Sequence, residues 1–349
     1  MFILFATMLV SMCLLRISVS AENNGVVTYT ISNGEVTIIE CLSKKVQYLS
    51  IDGTIDGYPI TKIEKNAFAN CFLLSYIKLP STLKYIGESA FDGCNSLTNL
   101  KIPDSVQWIG KYAFRYCSFH SIEIPDSVTS IGEGAFIGCN DLTDVKLSNN
   151  ITIINAGLFS SCSKLTSIII PDSVRYIYSR SFSNCDSLID ITIPENMVSI
   201  GQSAFYSCDN LREVTMYDKI TRIQDYAFMS CTKLKKIQYI GDKEKFDSIN
   251  IGSENYYFTS ATKIFYEGTK TTVSNDGKSF NIKPINIDTG NTIILALYDN
   301  DCLVDVQTAI YEGDEIQFTT TESNTDANVM VWSDLTNMIP VCTAETLDF

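Results

Sequence analysis

Cysteine recurs most regularly among the residues of this sequence that could bind a metal or form disulfides. Zinc sites use closely spaced cysteine pairs, whereas these cysteines are single and lie far apart in the chain. Stacked cysteines would also have parallel Cα–Cβ directions, whereas a disulfide needs them to converge. We therefore expect small apolar side chains with weak S–H donors, and no metal or cofactor. The cysteines of this series are Cys71, Cys94, Cys117, Cys139, Cys162, Cys185, Cys208 and Cys231.

The single histidine, His120, is the natural candidate for acid–base chemistry near neutral pH. Ser121 and Glu123 follow it on the same predicted strand, so a small cluster is conceivable. A nucleophile needs a base within hydrogen-bond reach, and no G-x-S-x-G turn presents a serine. We expect an exposed histidine and a protein that is not an enzyme. A hydrolase site around His120 is the alternative.

Two groups of acidic residues raise the question of calcium binding. Neither has the spacing of a twelve-residue calcium loop, and both occur in turn sequences where aspartate is common. We expect turns and no metal site. The groups are Asp52 with Asp56, and Asp299 with Asp301 and Asp305.

The composition excludes some classes of partner. The 349 residues include 26 basic and 40 acidic side chains, for a formal net charge of −14. A chain this acidic is a poor candidate for nucleic-acid binding, which needs a basic face. Hydrophobic residues make up 45%, which is enough for a core. The segment from Thr269 onward carries most of the negative charge, which indicates two parts.

Two further residue types repeat in step with the cysteines. A phenylalanine occupies the third position before each one, and an isoleucine follows each of the first seven at a nearly constant interval. A fixed period of about 23 residues predicts a solenoid, in which each coil stacks on the next. The phenylalanines are Phe68, Phe91, Phe114, Phe136, Phe159, Phe182, Phe205 and Phe228. The isoleucines are Ile86, Ile109, Ile131, Ile154, Ile177, Ile200 and Ile223.

One unit shows why the coils must stack. Leu100 and Ile102 alternate with polar residues, which predicts a half-buried strand that ends at Pro103. The segment from Ala113 to Cys117 predicts a short helical or 3₁₀ turn that closes the coil. Each unit thus has one thin apolar layer, which only its neighbours can bury.

The pattern resembles the BspA-like leucine-rich repeats. The segments Leu165-x-x-Ile168-x-Ile170-Pro171 and Ile131-Gly132-Glu133-Gly134-Ala135-Phe136-x-x-Cys139 match the general form of these repeats. The resemblance implies a secreted or cell-surface bacterial protein with a role in adhesion. The expected fold is mostly β: a leucine-rich-repeat solenoid of about eight coils of this length with short helical turns, followed by a C-terminal antiparallel β-sandwich.

The predicted domain organisation has five parts. Residues 1–21 read as a secretory signal peptide, because an apolar run ends in the small residues Val19-Ser20-Ala21. No C-terminal anchor is seen, and no integral membrane segment is expected after cleavage. The next parts are an N-terminal cap with a hairpin at Asn33-Gly34 (22–66), the repeats (67–240), a C-terminal cap (241–268) and a small acidic β-sandwich (269–349).

The tail has two features of its own. Its segment Val329–Val341 is similar to the C-terminal β-module of clostridial surface and carbohydrate-active proteins. Cys302 and Cys342 are the one pair within this part for which a disulfide is worth testing.

The outward positions of the predicted strands are the remaining candidates for function. A rigid face with regularly spaced side chains suits an extended partner, an extracellular protein or a glycan. We expect adhesion, with a glycan-binding accessory protein and a structural spacer as alternatives. Candidates on the main strands are Tyr76, Lys78, Asn99, Lys101, Glu123, Asp144, Lys146, Asp190, Glu213 and Lys236. Tyr85, Trp108 and Tyr176 precede inward isoleucines, where they either shield the sheet or contact sugar rings or a protein partner.

Overall fold

The chain is described by a computed structural model that covers the backbone of residues 17–20 and 26–266 and of seven strands between residues 269 and 347. Side chains are described for residues 27–265. The described part is almost entirely strand and turn. It holds two five-residue helices, α1 (Lys243–Asp247) and α2 (Tyr256–Ser260).

The strands before the tail are short, and most coils contribute two of them. In chain order they are β1 (Ile17–Ser20), β2 (Val26–Ser32), β3 (Glu35–Cys41), β4 (Tyr48–Ser50), β5 (Thr54–Ile55), β6 (Tyr58–Ile63), β7 (Tyr76–Lys78), β8 (Tyr85–Ile86), β9 (Trp108–Ile109), β10 (Ser121–Glu123), β11 (Ser130–Ile131), β12 (Asp144–Lys146), β13 (Ile153–Ile154), β14 (Tyr176–Ile177), β15 (Asp190–Thr192), β16 (Ser199–Ile200), β17 (Glu213–Tyr217), β18 (Arg222–Ile223), β19 (Lys236–Ile240), β20 (Asn250–Ile251) and β21 (Thr262–Tyr266).

These strands form two parallel ladders along the solenoid. One ladder, whose outward side we call the strand face, consists of β4-β7, β10-β12 and β15-β17-β19-β21. The other, which we call the second ladder, runs β3-β6-β8-β9-β11 and then β13-β14-β16-β18-β20. Partners lie one coil apart, as in the pairing of Glu123 with Lys146 and of Ile86 with Ile109. This arrangement confirms the predicted solenoid, in which one repeat unit makes one coil.

The segments that close the coils are successive β-turns rather than the helical turns we predicted. In the coil around Phe114, the N–H groups of Ala113, Arg115 and Cys117 donate to the carbonyl three residues earlier. The alternate N–H groups, among them that of Phe114, donate to the next coil. Tyr112 and Tyr116 have φ values of 54° and 60°, which turns the chain at each of these points. Because alternate N–H groups donate within the turn and to the next coil, the backbone of this buried segment is hydrogen-bonded in both directions.

The core is one continuous cluster in which each coil contributes the same side chains. The eight predicted phenylalanines are fully buried, and neighbouring rings are stacked with centroids 5.0 to 5.7 Å apart. The cysteines and the isoleucines of the second ladder are buried beside them. The shared interior that the repeat predicts is therefore present.

The N-terminal end contains a coil that sequence analysis assigned to the cap. The predicted hairpin is formed by β2 and β3, and Asn33 and Gly34 both have positive φ, as a tight two-residue turn requires. From Cys41 onward, however, the chain already follows the path of the repeat. β4 pairs with β7 in parallel, and β6 pairs with β8. The hairpin therefore precedes one additional coil.

The C-terminal end also extends the stack by one coil. α1 lies at the start of the predicted C-terminal cap. Beyond it, Ile251 pairs with Ile223, and the ring of Phe258 stacks on Phe228 at 4.8 Å. Ala261, buried, lies three residues after Phe258, where other coils have cysteine. The segment therefore adds the last ring to the column of stacked phenylalanines and covers the end of the stack.

The tail strands form two antiparallel sheets, β22-β23-β26 and β25-β24-β27-β28. Cys302 and Cys342 lie on β25 and β28, at opposite edges of the second sheet, with two strands between them and an offset along the strand direction as well. A disulfide needs Cα atoms within about 7 Å, so this sheet order contradicts the pairing. The strands are β22 (Thr269–Val273), β23 (Ser279–Pro284), β24 (Thr292–Asp299), β25 (Cys302–Ile310), β26 (Ile316–Thr319), β27 (Asp326–Trp332) and β28 (Pro340–Leu347).

Three sequence predictions depend on residues or side chains outside the described ones. These are the packing of the two tail sheets into a sandwich, the apolar run of the signal peptide within residues 1–16, and the calcium question at Asp299, Asp301 and Asp305. Among the helices of the described residues, none has the length and apolar character needed to cross a bilayer.

Candidate functional site

The thiols of the repeat are hydrogen-bond donors inside the core. Cys94 Sγ donates to the Phe68 carbonyl at 3.1 Å, and Cys139 Sγ donates to the Phe114 carbonyl at 3.3 Å. Every cysteine from Cys94 to Cys231 repeats this contact with the preceding coil. Each of these carbonyls also accepts the N–H of the cysteine in its own coil. The thiols therefore join coil to coil.

Burial makes these thiols weak acids. It raises the pKa of Cys94, Cys139, Cys185 and Cys231 to about 12, and it also raises the pKa of Cys117, Cys162 and Cys208 well above 9.0. A protonated, enclosed thiol is a poor nucleophile and a poor metal ligand. Within residues 27–265 all nine cysteines are free, and no three His, Cys, Asp or Glu side chains are grouped as a metal site would require.

The first thiol of the column differs from the rest. Cys41 Sγ donates to the Ser43 carbonyl at 3.4 Å, and a hydrogen bond with Cys71 lowers the pKa of Cys41 to about 7. The same contact raises the pKa of Cys71. Cys41 is therefore the most acidic of the nine cysteines within residues 27–265.

His120 lies exposed at the start of β10. Its carbonyl accepts the N–H and the hydroxyl of Thr143, at 2.9 and 3.0 Å. No hydrogen bond between its ring and another side chain exists among the described residues, and Glu123 pairs with Lys146 at 2.6 Å instead. The geometry therefore gives His120 no aligned nucleophile.

Asp56 has a structural contact. It accepts a hydrogen bond from the Tyr29 hydroxyl at 3.0 Å, and burial together with this contact raises the pKa of Tyr29. The bond ties the hairpin strand β2 to the turn after β5.

On the strand face, several candidate residues pair with one another. Glu123 binds Lys146, and Glu213 binds Lys236 at 3.4 Å, in both cases across neighbouring coils. These cross-strand pairs stabilise the sheet modestly. Lys78 and Lys101 are exposed and have no ion pair within residues 27–265. Asp144 and Asp190 are also exposed and unpaired within the same range.

The strand face is interrupted beside Lys101. Our prediction of a strand at Leu100 and Ile102 is wrong: Ile102 is buried, but the segment forms only an isolated bridge from Asn99 to Tyr76. No backbone hydrogen bond joins residues 99–102, all of them described, to β10. The next unit is one residue shorter, and its Phe119 packs edge-on against Phe114 at 5.7 Å.

A groove of about 700 Å³, which we call the break groove, opens at this interruption. A second groove of about 400 Å³ adjoins it and shares Tyr76, Lys101 and Asp104. The break groove brings together four predicted residues, Tyr76, Asn99, Lys101 and Glu123, and adds Ser121. Lys78 lines the adjoining groove.

The second ladder carries the other aromatic candidates. Tyr85 and Trp108 are directly opposite each other on β8 and β9, with exposed fractions of 38% and 41%. Tyr176 lies three coils from Trp108, near Tyr178, with ring centroids 6.3 Å apart. The aromatic residues thus form two separate pairs and no continuous row.

The repeat geometry agrees with a comparison against protein families. The BspA-type leucine-rich repeat region matches residues 61–189 and 152–286, in six copies. These ranges cover more than half of the chain. The protein belongs to the BspA-type leucine-rich repeat family.

Solved structures of bacterial leucine-rich repeat proteins are similar to this BspA-type chain. A leucine-rich repeat protein from Bacteroides ovatus is 26% identical, covering 68% of this chain and 80% of that one, with a TM-score of 0.48. A leucine-rich cell surface protein from Faecalibacterium prausnitzii is 18% identical over 67% and 97%, with a TM-score of 0.27. The pneumococcal vaccine antigen PcpA is 15% identical over 71% and 98%, with a TM-score of 0.30. No curated protein matches the sequence.

Sequence reasoning missed three features of this BspA-type repeat. The coil after Cys41 was hidden because the interval from Cys41 to Cys71 is longer than every other interval in the cysteine series. The coil that contains Phe258 could have been found from Ile251-Gly252 and Phe258-x-x-Ala261. The break groove had one signal, the shortened unit at Phe119-His120.

Proposed function

We propose that this BspA-type protein is a secreted or cell-surface, non-catalytic protein that binds macromolecules of a host or a neighbouring cell through its strand face. The observation that carries the proposal is the break groove, with unpaired Lys101 and exposed Tyr76 on a regular, rigid frame. Such a frame suits an extended extracellular protein or glycan.

The chemistry of the interior supports a binding role. The reactive side-chain type that recurs most often, the thiol, is buried and protonated, and His120 has no aligned partner in the described part of the chain. The proposal includes export through a signal peptide in residues 1–21 and a tail related to clostridial surface modules.

A glycan-binding accessory protein that uses Tyr85 and Trp108 is the second candidate. Their direct opposition on β8 and β9 favours it, since two adjacent exposed rings can contact a sugar chain. A structural spacer is the remaining possibility, and it requires neither surface to bind.

The test uses the chain without residues 1–21, immobilised, against purified extracellular matrix proteins and mucins. One variant carries Tyr76→Ala and Lys101→Gln on the strand face, and a matched variant carries Tyr85→Ala and Trp108→Ala on the second ladder. We expect micromolar binding that the first variant loses and the second keeps. The reverse result would support the glycan-binding candidate. Absence of binding by the parent and both variants would favour the structural spacer.

A further inference from the structure

Resting on the proposed function, we propose that the break groove binds an oligosaccharide that carries carboxylate groups. The groove lies where strand pairing is absent between residues 99–102 and β10. Backbone N–H and C=O groups along the gap have no partner on the facing coil, so a bound ligand can use them. Asn99 and Ser121 add side-chain donors and acceptors. A ligand rich in hydroxyl groups matches this lining.

An aromatic platform extends the groove toward the N-terminal coils. Tyr48 and Tyr76 are register partners on β4 and β7, with exposed fractions of 56% and 48%. Neighbouring strands lie ~4.8 Å apart, so the two tyrosines project from adjacent positions of the strand face. Exposed tyrosine offers an apolar ring face and a polar hydroxyl, which suits the mixed surface of a sugar ring.

The charges favour an acidic sugar chain of low charge density. Lys78 and Lys101 are adjacent in register, because the bridge between Tyr76 and Asn99 aligns them. Asp104 is the opposing free charge in the groove, since Glu123 is already bound by Lys146 at 2.6 Å. Isolated carboxylates on the ligand would meet the lysines, whereas a densely sulfated chain would also place charge against the carboxylate of Asp104.

An extended peptide fits this site less well. A peptide that adds to a sheet as a strand needs either a free sheet edge or a gap wide enough to leave ~4.8 Å between it and each neighbouring strand. Here the coils remain in contact around the gap: Ser118 N–H donates to the Leu97 carbonyl at 3.2 Å, and the rings of Phe91 and Phe114 stack at 5.5 Å. The gap is therefore a shallow groove within a closed stack.

The experiment measures binding of tetragalacturonate to the chain without residues 1–21 by calorimetry. Its methyl ester removes the charges and keeps the sugar, and a sulfated tetrasaccharide and a polyglutamate peptide test the other anions. Lys101→Gln and Tyr76→Ala are the groove variants. Lys235→Gln, an exposed lysine with no ion pair among the described residues, and Trp108→Ala are the controls.

We expect micromolar binding of tetragalacturonate, at least about tenfold weaker binding of the ester, and about tenfold loss in each groove variant, because each removes one principal contact. Added salt weakens the binding, and the controls leave it unchanged. Equal affinity for acid and ester, an unaffected Lys101→Gln variant, loss in Trp108→Ala, tighter binding of the sulfated or peptide probe, or no binding would each overturn the inference. If matrix proteins still bind the strand face in that case, the proposed function stands and only this ligand class is wrong.

Discussion

At the scale of single residues, the buried thiols hold the coils together through a contact that depends on their protons. The Phe114 carbonyl accepts the N–H of Cys117 at 3.2 Å and the S–H of Cys139 at 3.3 Å. An ionised sulfur could not donate to this oxygen, and burial would penalise its charge. Stability should therefore depend on pH in the range where thiols ionise.

The first prediction concerns that pH dependence. The pKa of Cys139 and Cys185 is raised from 9.0 to about 12 by burial, so the folded chain keeps protons that the unfolded chain releases. Their contribution is complete below pH 9 and is lost as the pH rises toward 12. Each should lower the free energy of unfolding by about 1.4 kcal/mol per pH unit in that window. The double variant Cys139→Ala/Cys185→Ala, measured by urea unfolding at pH 8, 9 and 10, should show a shallower decline. An identical slope in parent and variant would contradict the prediction.

The second prediction concerns thiol reactivity. Cys41 is as fully buried as Cys94, Cys139 and Cys185, so a reagent reaches each of them only when its coil opens. Because contact with Cys71 lowers the pKa of Cys41 to about 7, whereas burial raises that of the other three to about 12, Cys41 should be alkylated first once it is reached. Mass-spectrometric mapping of the folded chain after brief treatment with iodoacetamide at pH 8 measures the order. The denatured chain, in which these cysteines should react alike, is the control. Equal labelling in the folded state would show that Cys41 has no special acidity.

At the scale of elements, glycine allows close contact between coils of the second ladder. A Cβ atom on Gly110 would lie 2.6 Å from the Glu88 nitrogen and the Gly87 carbonyl carbon, both of them backbone atoms. The third prediction is that Gly110→Ala lowers the free energy of unfolding by about 1–3 kcal/mol, because two strands must separate. Gly53→Ala is the matched control, since its Cβ would meet Thr82 at 3.9 Å. Thermal unfolding should show little change there, and equal losses in both variants would contradict the steric account.

Local patterns predicted most of the elements, because each coil repeats the same side chains with the same neighbours. The rings from Phe68 to Phe228 are stacked as their spacing predicts. The terminal coils escaped prediction because Cys41 precedes an unusually long loop and Ala261 replaces a cysteine. In both places the local sequence departs from the repeat pattern, but the chain still stacks on the adjacent coil.

The candidate site was only partly predictable. Outward positions such as Tyr76 and Lys101 follow from strand alternation, and both are exposed. The break groove opens beside the shortened unit, where Phe119 packs against Phe114, and such a tertiary contact cannot be predicted from the local pattern. The pairing of Glu123 with Lys146 likewise depends on the register between coils. Nothing in the structure explains the second interruption, between β12 and β15.

At the scale of the whole molecule, the solenoid is a stack in which interior coils have a neighbouring coil on each side, whereas the last coil has one among the described residues. Phe136 is stacked between the rings of two neighbouring coils, Phe114 and Phe159, at 5.4 and 5.6 Å. Phe258 stacks on one neighbouring coil, through Phe228 at 4.8 Å, and its other stacked ring at 6.4 Å is Phe246 of the same end segment. Stability in such an array is a sum of contacts between neighbours. The position of a lost ring should therefore decide how far the damage spreads.

The fourth prediction compares these two positions. Phe136→Ala should lower the free energy of unfolding by about 3–5 kcal/mol and weaken amide protection in coils on both sides. Phe258→Ala should reduce amide protection mainly between residues 243 and 266, because the end coil can open alone. Hydrogen exchange followed by mass spectrometry measures both patterns. Loss of protection throughout the chain in Phe258→Ala would contradict the one-dimensional description.

The enclosed sulfur column has a consequence for the survival of the protein under oxidising conditions. Peroxide cannot reach Cys139 or Cys162 while the coils are closed, since both are fully buried. When a coil opens, its sulfur can be converted to a sulfinic acid, which is irreversible and too polar to return to its place beneath the next turn. An opening that ends in this oxidation is then a one-way step. The lifetime of the protein in such an environment would be set by how often its coils open.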